Sequence, residues 1–205
     1  MWDSERLSEF VTLFLVINPF GVLPPFIAIA GGFQPKVQRR IALHSVIVAF
    51  VTLTFFFIAG AFILSHMKIP IRAFQISGGI VLFLVALEMV RGSAHEMSAS
   101  PGGAIALAVY PIGIPKIAGP GAMLAVILLT DDDRYNIGEQ LVTIGMLGLV
   151  LLVTLFVLLA AIPISRLIGT AGAGVISRIM GLLLAAFAVG MVLSTVAEWL
   201  NLPKL

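Results

Sequence analysis

The chain has 205 residues, of which 60% are hydrophobic and only 11% charged, and its mean hydropathy is +1.14, far from the roughly 45–50% apolar and 25% charged of soluble domains. A net charge of +2 with scattered basic residues excludes the electrostatic footprint of a nucleic-acid binder, and the absence of cysteine excludes disulfides, thiolate metal sites and thiol redox relays. The composition predicts an all-α polytopic membrane protein, one membrane domain over 1–205, with room for about six helices of about 20 residues each.

The mixed-sign start, Met1-Trp2-Asp3-Ser4-Glu5-Arg6, carries no cleavage pattern, so the first apolar run is expected to act as its own insertion signal. That run, about Phe10 to Ala30, contains Ile17-Asn18-Pro19-Phe20-Gly21-Val22-Leu23-Pro24-Pro25. Proline removes a backbone donor and clashes with the preceding turn, and the residue before it is pushed out of helical geometry. A short helix ending near Ile17, an irregular segment and a half-helix restarting near Pro25 are therefore predicted. Gly31 to Pro35 reads as a turn, and Lys36, Arg39 and Arg40 are the densest basic cluster in the chain.

The second span is predicted at about Ile41 to Leu64 and the third at about Ile71 to Val90, joined by the turn His66 to Pro70. Glu88 and Arg91, three apart at the end of the third span, read as an interfacial ion pair. A polar link from Gly92 to Gly103 follows. The fourth run, about Ala104 to Thr130, holds Pro111, Pro115 and Pro120 with Gly113, Gly119 and Gly121, and is expected to break as the first does. After the solvated turn Asp131-Asp132-Asp133-Arg134 comes a fifth span, about Ile137 to Ile162. A loop is predicted from Pro163 to Gly174, then a sixth span from about Val175 to Leu200.

The halves, about 7–92 and 104–200, superpose: Pro19 falls on Pro120 at an offset of 101, and Gly79 on Gly181 and Met89 on Met191 at an offset of 102. Three spans per half means that the second half enters from the opposite side, an inverted-topology repeat with broken first and fourth helices. Six basic residues on the side of the Lys36 cluster against five on the other place both termini outside by the positive-inside rule. Small residues at Gly78, Gly79 and Gly181 suit close packing within the chain or between protomers, so a homo-oligomer is compatible with them.

Asn18-Pro19-Phe20-Gly21 with Leu23-Pro24, the run from Arg72 through Ser77-Gly78-Gly79 to Glu88-Met89, and Pro115 with Ile117-Ala118-Gly119-Pro120-Gly121-Ala122 together resemble the MarC family over essentially the whole chain. The resemblance implies a six-span bacterial or archaeal cytoplasmic (inner) membrane protein with an internal duplication, related to the LysE-type exporters, and a role in transport of small neutral amino acids. This chain has Asn18 where the family often has Asp, which removes a titrating group, and Lys116 where the family has an apolar residue, which adds a cation beside the break.

The expected function is a secondary transporter of small solutes, most simply small neutral amino acids, working by alternating access. Its binding residues are expected to be Asn18, Pro19 and Gly21 at the first break and Lys116, Gly119, Pro120, Gly121 and Ala122 at the second. A helix restarting after a break presents unpaired amides and the positive end of its dipole, which suit a carboxylate. The amides of Gly21 and Val22 and of Gly119, Gly121 and Ala122 are the candidates, with Asn18 and carbonyls near Ile17 for an ammonium. No cofactor or metal is expected, since His44, His66 and His95 lie in separate segments, although a proton or sodium ion would serve as coupling ion. The alternatives are a structural or regulatory membrane subunit without flux, and a membrane-embedded enzyme, for which no nucleophile, base or carboxylate constellation stands within the spans.

Overall fold

A computed structural model describes residues 2–92, 104–129 and 137–202. The polar link over 93–103 and the acidic turn at Asp131 to Arg134 lie outside the described residues, which are mostly helical and contain no strands. They form α1 (Trp2–Ile17), α2 (Leu23–Ala30), α3 (Pro35–His66), α4 (Ile71–Arg91), the single turn α5 (Ala104–Leu107), an irregular segment Ala108–Ile117, α6 (Pro120–Leu128), α7 (Ile137–Leu159) and α8 (Ala161–Trp199).

Local chemistry sets most of these boundaries. α2 opens with Pro24 and Pro25 in its first turn, and α3 and α6 open on Pro35 and Pro120, positions where a missing amide costs nothing because the first four have no intrahelical partner. Gln38, buried in the first turn of α3, donates from Nε2 to the Phe33 carbonyl at 2.7 Å and so ties α3 to the turn after α2. α4 ends on Gly92, whose φ of 69° is the left-handed geometry that closes a helix and that glycine adopts without steric cost.

Four helices are long and apolar enough to cross a bilayer: α3, α4, α7 and the Gly172–Trp199 part of α8. The pair Ile105–Ile117 and Pro120–Leu128, bent by 56°, is a broken span, which would make a fifth, or a re-entrant loop. α1 and α2, with 16 and 8 residues, each fall short of the roughly 20 residues that a span needs.

Two expectations are corrected. The loop predicted from Pro163 to Gly174 is helix, because α8 begins at Ala161. Pro163 occupies the first turn, where it interrupts no hydrogen bond, and the following glycines lower helix propensity without breaking the chain of bonds. The turn between α7 and α8 is accordingly tight, with the Ala160 amide bonded to the Phe156 carbonyl and the Ile164 amide to the Ala160 carbonyl, both at 2.9 Å. The expected Glu88–Arg91 pair does not form, and both side chains are exposed.

At the centre, α4 and α8 pack antiparallel along their lengths. Gln75 on α4 accepts from Thr195 Oγ1 at 3.3 Å near one end, and Gly92 lies against the Arg178 guanidinium at the other. Between them, a side chain at Gly79 would meet Val192, the Ala188 carbonyl and Met191, and one at Gly181 would meet Val90, the Ala86 carbonyl and Met89. Each contact of one set becomes a contact of the other when residues 102 apart are exchanged. The same exchange relates α4 on α6 to α8 on α2, and α1 on α7 to the irregular segment on α3.

Candidate functional site

At the first break α1 stops at Ile17 and Asn18 turns the chain with a φ of 52°. Asparagine tolerates that left-handed conformation better than most residues. Its side chain then holds the turn: Asn18 Oδ1 accepts the Gly21 amide at 3.0 Å, the Asn18 carbonyl accepts the same amide at 2.9 Å, and Nδ2 donates to Met89 Sδ on α4 at 3.4 Å. Asn18 and Pro19 are buried. A Cβ at Gly21 would lie 2.5 Å from Asn18 Nδ2 and 2.7 Å from Met89 Cε, so a side chain there would displace the Asn18 or Met89 side chain. The Gly21 amide, expected to be a free donor, is therefore engaged within the turn.

The second break is built differently. Tyr110 and Ile114 have extended backbone inside the irregular segment, at φ −131°, ψ 127° and φ −128°, ψ 127°, and the segment closes with the Ala118 amide on the Gly113 carbonyl at 2.9 Å. Gly119 then precedes α6 with extended geometry and no side chain to cap it. Since Pro120 has no amide, the first donors of α6 are those of Gly121 and Ala122, both buried residues. They carry the positive end of the α6 dipole. Asn18 thus closes the turn at the first break, while the helices that follow both breaks, α2 and α6, start without a side-chain cap.

Leu82 of α4 occupies the space that a side chain at Gly121 would need. Leu82 and Met89 are seven residues apart on one face of α4, about 10 Å along its axis, so both breaks dock on this helix two turns apart. Beside Gly121 lies a cavity of about 170 Å³ whose walls include Thr12 and Val16 of α1, Leu82 of α4, Phe187 and Met191 of α8 and Leu124 of α6. Thr12 supplies the one polar side chain in this lining. Of the eight residues expected to bind, only Gly121 reaches it; Pro120 and Lys116 are exposed.

One charged group went unnoticed in the sequence. Glu9, 5% exposed on α1, takes both carboxylate bonds from Arg6 Nη1 at 2.9 Å and a third from Thr143 Oγ1 of α7 at 3.3 Å. The spacing of Arg6 and Glu9 was a helical pairing signal, but the burial comes from α7, which no local pattern announces.

The family model described as MarC family integral membrane protein matches residues 4–200. Among similar proteins, the UPF0056 membrane protein MJ1677 of Methanocaldococcus jannaschii is 33% identical over 193 residues, covering 92% of this chain and 94% of its own length. A UPF0056 membrane protein of Archaeoglobus fulgidus is 33% identical over 200 residues, 95% and 93% of the two chains. The UPF0056 inner membrane protein YhgN of Escherichia coli is 30% identical over 198 residues, 97% and 99% of the two chains. No solved structure matches the chain.

Proposed function

The chain belongs to the MarC family of integral membrane proteins of the cytoplasmic (inner) membrane, and on that premise we propose that it is a secondary transporter of small solutes, most simply neutral amino acids. The observation that carries this reading is the cavity at the meeting of α1, α4, α6 and α8, with Gly121 of the uncapped α6 start in its wall. A carboxylate would sit on the Gly121 amide at the start of α6, and the apolar walls would take the rest of the molecule. The ammonium would be held by carbonyls near the first break, with Asn18 keeping that turn in shape.

The two halves are read as inverted repeats. Support comes from the exchangeable contacts of α4 and α8: an antiparallel pair whose contacts are unchanged when the helices are swapped has a two-fold axis perpendicular to both. For helices that cross a bilayer, that axis lies in the membrane plane, which is the symmetry of an inverted repeat. In this reading α1 and α2 together make the sixth span. Alternating access would come from rocking one repeat against the other, driven by a proton or sodium gradient, with no cofactor and no covalent chemistry.

A second reading, a membrane subunit without flux, draws on Leu82 filling the space at Gly121 and on Asn18 being engaged by its turn and by Met89 of α4. Uptake and counterflow of labelled glycine, alanine and serine in proteoliposomes separate the two, with wild type compared with a folded Gly121→Leu variant under imposed proton or sodium gradients. Saturable flux lost in the variant is the expected result. Absence of flux for every amino acid in wild type removes the amino-acid assignment and favours the second reading.

A further inference from the structure

Lys116 is exposed, and it makes no ion pair or hydrogen bond among the described residues. Its depth follows from packing against α3. Gly113 sits so close to α3 that an added Cβ would lie 3.1 Å from Val48 Cγ1 and 3.2 Å from the Ser45 carbonyl, and farther along Ile127 packs on Gly60. The run from 104 to 128 therefore rises beside α3 in the same direction. Lys36, Arg39 and Arg40 mark the headgroup level at the start of α3, and Val48 lies about 12 Å deeper at 1.5 Å per residue. Lys116 comes three residues after Gly113, with Ile114 extended, which sets it near the middle of a hydrocarbon core about 30 Å thick.

A lysine at that depth is too far in for its four-carbon stem to reach the headgroups, and facing lipid with its charge is strongly disfavoured. The backbone here makes the same demand. Val109, Tyr110, Pro115 and Lys116 share exposure along a stretch with extended residues, and such backbone is tolerated in a membrane only against protein or water. A second copy of the chain is a poor cover, because Glu88, Glu139 and Glu198 stand toward helix ends and Glu9 is buried and already bonded to Arg6 and Thr143.

We propose that a water-filled vestibule opens from the surface marked by Lys36, Arg39 and Arg40 down to Lys116, and that the Lys116 ammonium is the docking point for a small carboxylate anion on its way to the second break. This deepens the transport reading and rests on it for the anion's destination, whereas the vestibule itself needs no flux.

The chain has no cysteine, so single-cysteine variants can be labelled without removing native thiols. In right-side-out and inverted membrane vesicles, Lys116→Cys is expected to react with membrane-impermeant methanethiosulfonates from one face only. Tyr110→Cys, higher in the same vestibule, is expected to prefer the anionic sulfonatoethyl reagent over the cationic trimethylammonium reagent by about tenfold relative to a free thiol. Adding Lys116→Gln should abolish that preference, and Ile58→Cys on the lipid face of α3 should stay unlabelled. Labelling at 116 only by a lipid-soluble maleimide, labelling by neither reagent, or a charge preference at 110 that survives Lys116→Gln would each overturn the proposal. Labelling as expected in a protein without flux would leave the vestibule standing while the transport reading fails.

Discussion

Met89 Sδ of α4 accepts the Asn18 Nδ2 hydrogen bond at 3.4 Å across the first break, and the same side chain closes over Gly21. The break is thus a fixed turn, with the Gly21 amide used within it and its side-chain amide anchored to a neighbouring helix.

Asn18→Leu should remove the cap on the Gly21 amide and place a bulky residue at a φ of 52°. The expected loss is about 1–3 kcal/mol of unfolding free energy. Asn18→Gly suits the backbone and loses only the side-chain bonds, so about 1 kcal/mol is expected. Denaturant titration in mixed micelles distinguishes the two, and equal losses would mean that left-handed geometry is not what the position selects.

Gly121→Ala should push α6 away from Leu82, a small overpacking worth about 1–3 kcal/mol. In a Leu82→Ala background the added methyl has room, so the double variant should be more stable than the two single losses added together predict. A strictly additive double variant would show that Leu82 is not the obstacle.

Gly79→Val and Gly181→Val should behave as a matched pair, since each meets three residues of the opposite helix at equivalent positions. Each should cost about 1–3 kcal/mol. The second substitution should cost less than the first, because α4 and α8 have already parted. Unequal single losses would argue against the exchange relation between the contacts.

Glu9→Leu leaves Arg6 and Thr143 without their shared acceptor, and about 1–3 kcal/mol should be lost. Replacing Arg6 by Met as well should recover part of that, because both charges of the pair are then removed together. Thr143→Val should cost less than 1 kcal/mol, as its hydroxyl has a second acceptor in the Glu139 carbonyl at 3.2 Å. Thermal unfolding of the three variants is the check.

The breaks were legible because proline and glycine act within a turn of where they stand: α1 ends at Ile17 and α6 starts at Pro120, as the sequence predicts. The same residues misled at Pro163, since a proline in the first turn of a helix and a proline in a loop leave the same trace. The match of Gly79 to Gly181 was legible as an offset, but the packing of each against the other's helix was not. Glu9 shows the same limit. Its pairing with Arg6 is local, whereas its burial is decided by α7, more than a hundred residues away. The closure of the first break was hidden because Asn18 acts through hydrogen bonds to Gly21 and Met89, not through residue type alone.

The α4–α8 seam also has a mechanical consequence. Sliding one helix along the other would stretch the Gly79 and Gly181 contacts together, so the seam is stiff in shear. A scissor turn about the point midway between Gly79 and Met89 moves both ends by equal small amounts and leaves the centre in place. The seam is therefore a pivot pin, and the two docked breaks ride on α4 to either side of it as the short arms of a lever.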